Sequence, residues 1–280
     1  MKMHRLFGVL MVLVCLFAGS ALAAEIQLES GEGPGGLMAN YTVNSGDVIL
    51  GENIAGFHRI SINGSGNVEL TLKEVTLLPG GSMLLMAKQS GNTSVTSITL
   101  KLQGDNHISV LGSYVPLTIT GSGSLDCSQN TEHASLMVAG DLTIENGTIV
   151  AEGATCGIAT ERGKVRIKGG SLTAFSHQKE YDFGAVLCVP SLAHGPSIYG
   201  DYDQIIELGS GNWIIEAGND ASSAQNVSNY SGEAYLHIEK MPEQNVLPET
   251  GDSANLPLWI SLIAVSTIGM AMMLRRRKEA

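Results

Sequence analysis

The sequence predicts an all-β solenoid, and two observations carry that expectation. Short alternating strands recur at near-constant spacing, and Gly, Asn or Ser corners separate them. LTITGSGSLDCS from Leu117, LTIENGTIVAEG from Leu142 and VRIKGGSLTAFS from Val165 each open apolar-polar-apolar-polar, turn, and resume as a second short strand. Their starts lie 25 and 23 residues apart. Looser copies begin at Val68 (VELTLKEVTL) and Ile98 (ITLKLQGDNHI). A third short segment precedes most of these units: SLMV at Ser135, GIAT at Gly157 and GAVLCV at Gly184. Three strands in so few residues is the arithmetic of a chain that coils and stacks on itself, with about seven turns between Asp47 and Ala217.

Alternation assigns the faces. Val68, Leu70 and Leu72 point one way, as do Leu117 and Ile119, Leu142 and Ile144, and Val165 and Ile167. Stacked, they form an apolar column that no single turn could bury alone. Thr118, Thr120, Thr143, Glu145, Arg166 and Lys168 fall between them and make a polar outer face. Short strands and turns also fit a β-sandwich, but that fold does not require the repeat register.

The two ends read as addresses. MKMHR is a basic opening, Leu6 to Gly19 an apolar stretch, and Ala21-Leu22-Ala23 a small-residue cleavage site. Residues 1–23 are thus expected to be a secretory signal peptide cut after Ala23. Val14 is too bulky before Cys15 for a lipoprotein signal. At the other end, Leu256 to Leu274 is a charge-free apolar run of 19 residues. As a helix it reaches about 28 Å, close to the hydrocarbon thickness of a bilayer. Pro257 fits its first turn. Arg275, Arg276, Arg277 and Lys278 follow at once and place that end in the cytoplasm. Leu247-Pro248-Glu249-Thr250-Gly251 therefore lies just outside the membrane.

This order of signal peptide, LPETG, helix and basic stub resembles the Gram-positive surface proteins that sortase anchors to the cell wall. The resemblance implies that sortase recognises Leu247, Pro248, Glu249, Thr250 and Gly251. Its thiolate would attack the carbonyl of Thr250, release Gly251 onward, and pass the acyl group to a peptidoglycan amine. Sortase and peptidoglycan become partners, and the membrane is one only before sorting. Residues 24–240 are then a secreted, wall-anchored ectodomain on the extracellular face, 241–246 a linker, and 247–280 the sorting signal.

Charge narrows the ligands. The chain has 27 Asp+Glu and 16 Lys+Arg, and the stretch between the two cut sites keeps 25 acidic and 10 basic residues. Such a surface excludes nucleic acid and repels a polyanionic glycan unless a divalent cation bridges them. Three cysteines survive processing, Cys127, Cys156 and Cys188. They read as buried small hydrophobes, with a disulfide between two of them left open.

The stretch from Leu117 to Ser176, with VELTLKEVTLLPGGSMLLM as an opening turn, resembles the secreted clostridial carbohydrate-binding proteins built as right-handed parallel β-helices. The likeness covers roughly Tyr41 to Val189. It implies polysaccharide binding at a cell surface, with calcium held by acidic residues just before the Gly-Ile segment. Gly153-Ala154-Thr155-Cys156-Gly157 lacks those carboxylates, and Thr131-Glu132-His133-Ala134 keeps one. Glu180 and Asp182 retain a pair, which makes them the calcium candidates.

Sugar binding needs a ring to stack on and polar groups around it. Phe175, Tyr181, Phe183, Tyr199, Tyr202 and Trp213 crowd one third of the domain. Phe175 and Phe183 read as caps over the last apolar turn. Tyr199, Asp201, Tyr202, Asp203 and Trp213 are the carbohydrate-binding candidates, since GDYDQ offers rings and carboxylates together. No catalytic residues are assigned. HExxH, GxSxG and P-loop patterns are absent, and His58, His107, His133, His177, His194 and His237 share no metal-ligand spacing. Six N-x-S/T sequons, including Asn63 and Asn146, reflect turn-rich composition. The leading expectation is a non-enzymatic, wall-anchored carbohydrate-binding protein. The alternatives are a calcium-dependent uronate lyase using Lys164, Lys168 or Lys179 as base, and a structural or adhesive protein with a protein partner.

Overall fold

The computed structural model describes residues 23–30, 38–87, 94–128, 134–177, 184–189 and 205–242. The described residues are all-β, in 22 strands. The early strands are β1 (Glu25–Gln27), β2 (Met38–Val43), β3 (Val48–Leu50), β4 (Phe57–Ile62), β5 (Gly66–Lys73) and β6 (Ser82–Ala87). Next come β7 (Val95–Gln103), β8 (Asp105–His107), β9 (Val110–Ser113), β10 (Leu117–Gly121), β11 (Ser124–Cys127) and β12 (Leu136–Ala139). Then follow β13 (Leu142–Ile144), β14 (Thr148–Gly153), β15 (Ile158–Glu161), β16 (Val165–Ile167), β17 (Ser171–Ser176) and β18 (Val186–Val189). The last are β19 (Ile206–Leu208), β20 (Trp213–Gly218), β21 (Gln225–Asn226) and β22 (Tyr235–Lys240).

These strands build three sheets. The first runs β1-β3-β5-β7-β10-β13-β16-β19, the second β8-β11-β14-β17-β22-β20-β21, and the third β2-β4-β6-β9-β12-β15-β18. From β7 to β19 the chain visits first, second and third sheet in unbroken rotation. The pairing in the first and third sheets is parallel throughout. Such long parallel sheets, visited cyclically, are compatible with a β-solenoid. The first sheet has eight strands starting at Glu25, so stacking begins well before the Asp47 expected from the sequence.

The repeat register holds residue for residue. Val68, Ile98, Leu117, Leu142, Val165 and Ile206 are successive partners, as are Leu70, Leu100, Ile119, Ile144, Ile167 and Leu208. Ile119, Leu142, Ile144, Val165 and Ile167 are fully buried, each contributing about 1.5–3 kcal/mol. The second sheet adds an inner column of Leu125, Ile149, Leu172, Ile238 and Ile215. Gly147 and Gly170 form the corner between the first two sheets with φ of +96° and +73°. A Cβ on Gly170 would come within 2.2 Å of the Gly147 carbonyl oxygen, so the corner requires glycine.

One polar side chain faces inward at the head of the second sheet. Asn106, fully buried, accepts the Val75 N–H at 3.0 Å and donates to the Ser124 carbonyl at 3.0 Å. It thus ties three consecutive turns together. Asn106→Ala strands the buried Val75 N–H and should cost about 2 kcal/mol in urea unfolding. A loss under about 0.5 kcal/mol would show that the Asn106 amide does not hold the corner.

Two features depart from a simple repeat. After β19 the chain abandons parallel stacking: β22 pairs antiparallel with β17 on one side and with β20 on the other. The reversal leaves a two-residue edge strand, β21, a short edge that resists further strand addition. The third sheet is apolar on both faces in its last turns. Ala134, Cys156, Ala159, Leu187 and Val189 form a second buried cluster separate from the central column. The run VLCV of β18 is buried along its whole length, which removes the alternation a half-exposed strand would show. Cys127, Cys156 and Cys188 are buried free thiols, and burial pushes the Cys156 thiol up to about 12.

Candidate functional site

The outer faces of the first two sheets differ in chemistry. On the first sheet, cations and anions are interleaved. Arg166 pairs with Asp141 and, at 2.7 Å, with Glu207; Lys164 also pairs with Glu207, and Lys168 reaches Glu145 at 3.4 Å. Hydrogen bonds from Lys164 and then Arg166 hold the Glu207 carboxyl below its ordinary range. Burial alone would raise Asp141, but Arg166 and Lys164 outweigh it and lower it. These lysines are committed to carboxylates, and the face is electrostatically balanced.

The outer face of the second sheet is acidic and aromatic. Register aligns Glu152, Phe175 and Tyr235 in one row, and Asp126, Val150, Thr173, His237 and Glu216 in the next. Asp105 and Glu239 lie further along. Among the described residues no Lys or Arg belongs to these outer rows. The inward neighbours of the rings, Leu172, Ala174, Leu236 and Ile238, are buried, so Phe175 and Tyr235 project outward and are half-buried. Their ring centroids are 6.4 Å apart at 60°. His177 meets Phe175 edge-on at 4.6 Å and reaches Glu152 at 3.5 Å. Burial, then the negative charges of Glu216 and Glu152, push the Tyr235 phenol up. Raised from an ordinary value of about 10, the hydroxyl stays protonated at neutral pH and can donate. Thr173 and His237 are hydrogen-bonded at 2.9 Å, and His107 lies 3.2 Å from Asp126.

This arrangement corrects the reading of Phe175 as a cap over the apolar column. Alternation already contained the answer: Leu172 and Ala174 face inward, so Phe175 must face out. Tyr235 was missed because its strand pairs antiparallel and lies 60 residues away in sequence. Trp213, at the start of β20, packs against the central cluster and donates its indole N–H to the Gly209 carbonyl at 2.9 Å. The Lys240 ammonium lies 5.9 Å from its ring centroid. Tyr199, Asp201, Tyr202 and Asp203, the calcium candidates Glu180 and Asp182, the signal peptide except Ala23, and 247–251 with the helix 256–274 all lie outside the described residues. Among the described residues, no group of three or more His, Cys, Asp or Glu could hold a metal ion, and no helix is long and apolar enough to cross a membrane.

A cavity of about 250 Å³ lies at the end of the column, lined by Ile206, Leu208, Ile215, Tyr230 and Ile238 together with Ser228 and Asn229. A more polar cleft of about 470 Å³ lies near the other end, between Gln27, Glu52, Lys73, Glu74 and Thr76. Neither combines an outward ring with flanking carboxylates. The chain matches no family model, and no curated protein or solved structure matches it. The residues themselves carry the functional argument.

Proposed function

We propose that this chain is a carbohydrate-binding surface protein, a right-handed parallel β-helix exported by its signal peptide and joined to peptidoglycan through Thr250. The observation that carries the binding role is the Phe175–Tyr235 ring pair, set outward on a rigid sheet beside Glu152, Glu216 and His177. Rings offer apolar faces to a pyranose, and carboxylates, a phenol and an imidazole can exchange hydrogen bonds with its hydroxyls. Right-handedness follows from the strong preference of parallel crossovers for that hand. The acidic outer rows favour neutral or amine-bearing glycans over polyanionic ones. Calcium at Glu180 and Asp182 would extend the range to anionic glycans, as hard cations bridge carboxylates. Of the bases that the lyase alternative names, Lys164 and Lys168 stand on the first sheet, paired with Glu207 and Glu145 and away from these rings.

Two experiments test the two halves. On a glycan array, the purified protein should bind neutral or amine-bearing oligosaccharides, unaffected by chelator. Binding to no glycan, together with capture of a protein ligand, would replace this reading with an adhesin. For anchoring, Thr250→Ala should leave the protein in the membrane fraction with its C-terminal segment uncut. Release of that variant only by wall-digesting enzymes would refute covalent attachment at Thr250.

A further inference from the structure

The turn before β3 presents a buried carboxylate to one particular backbone nitrogen at the start of the N-terminal strand. Asp47 sits in the turn before β3 and is only 4% exposed. One carboxylate oxygen accepts the N–H of Asn44 at 2.8 Å, which closes the turn. The other accepts the N–H of Ala24 at 3.0 Å. The backbone locks this geometry from both sides. Val48 N–H donates to the Ala24 carbonyl at 2.8 Å, and Thr71 N–H donates to the Asp47 carbonyl at 3.0 Å. From there β1 runs parallel to β3, with Glu25 opposite Val48. No cationic side chain of the described residues forms an ion pair with Asp47. A buried carboxylate answered only by neutral N–H groups is costly, and a cation at either oxygen would relieve it.

We infer that Asp47 is the seat of the processed N-terminus: removal of residues 1–23 supplies the missing cation as the α-ammonium of Ala24. The inference rests on the export reading above, which places cleavage after Ala23. Water adds across the Ala23–Ala24 peptide bond, leaving a carboxylate on Ala23 and an amine on Ala24 that takes up a proton. The nitrogen that donated as a neutral amide at 3.0 Å becomes a charged donor at the same place. The hydrogen bond becomes charge-assisted, and the first strand is clamped to the second turn of the coil. Cleavage one residue earlier or later would move the charge by about 3.5 Å, beyond hydrogen-bond reach of Asp47. Processing and folding are thereby coupled: the correctly cut chain gains an ion pair that the precursor lacks.

The test compares the chain beginning at Ala24, solubilised in detergent, with the same chain N-acetylated. Acetylation should lower Tm by about 3 °C. In an Asp47→Asn background it should change Tm by less than about 1 °C. An equal loss in both backgrounds, or none with Asp47 present, would overturn the ion pair. If Asp47→Asn does not fold, α-amine labelling needs no variant. The folded Ala24 amine should react about tenfold more slowly than the same amine in urea, and equal rates would overturn its seating. Mass spectrometry of the protein released from cell walls should find Ala24 first. Any other start would overturn the processing step, and would place the failure in the export reading rather than in the Asp47 geometry.

Discussion

Ile144→Asp should unfold the turns on either side of it, at a cost of about 5 kcal/mol. Ile144 is fully buried between Ile119 and Ile167, its partners on the neighbouring strands. The substitution removes their packing and leaves a carboxylate in the column with no countercharge. Thr143→Asp, one residue away, points outward beside Arg166 and should stay within about 0.5 kcal/mol of the parent. Urea unfolding followed by circular dichroism measures both. Equal damage from the two would mean that alternation does not set the faces of the first sheet.

The second large effect is on binding. Phe175→Ala combined with Tyr235→Ala should weaken the best glycan from the array by about 30-fold or more, the loss of roughly 2 kcal/mol expected when an aromatic anchor is removed. Both side chains point away from the column, so the double variant should keep its fold. Thr118→Ala with Thr143→Ala, on the outer face of the first sheet, should leave affinity unchanged. Titration calorimetry reads the difference. Undiminished affinity in the ring variant would remove the second sheet from the binding site.

The parallel stack was legible because its determinants are local and repeated. Leu117, Leu142 and Val165 open nearly identical segments, and the structure pairs them directly. Gly147 and Gly170 mark the same corner in successive turns, where only glycine fits. What escaped the sequence was non-local. β22 has ordinary strand alternation, and nothing in YLHIEK says that it inserts between β17 and β20 in reverse direction. The Phe175–Tyr235 pair exists only because of that insertion, so the candidate site could not be assembled by reading along the chain. Asn106 is a similar case: its three-turn hydrogen-bond role depends on Val75 and Ser124 arriving from neighbouring turns. The polar pattern of GDYDQ pointed to a loop instead, because sequence reading weighs nearby rings and carboxylates more readily than distant ones.

Hydroxyl-radical footprinting with and without the best array glycan tests the central claim most directly, that a glycan docks on the outer face of the second sheet. Phe175 and Tyr235 should lose labelling when the glycan binds. Tyr114, 58% exposed just after β9 of the third sheet, should label equally in both states and serves as the internal control. Protection confined to Tyr199 and Tyr202, or unchanged labelling of Phe175 and Tyr235 under saturating glycan, would contradict the account.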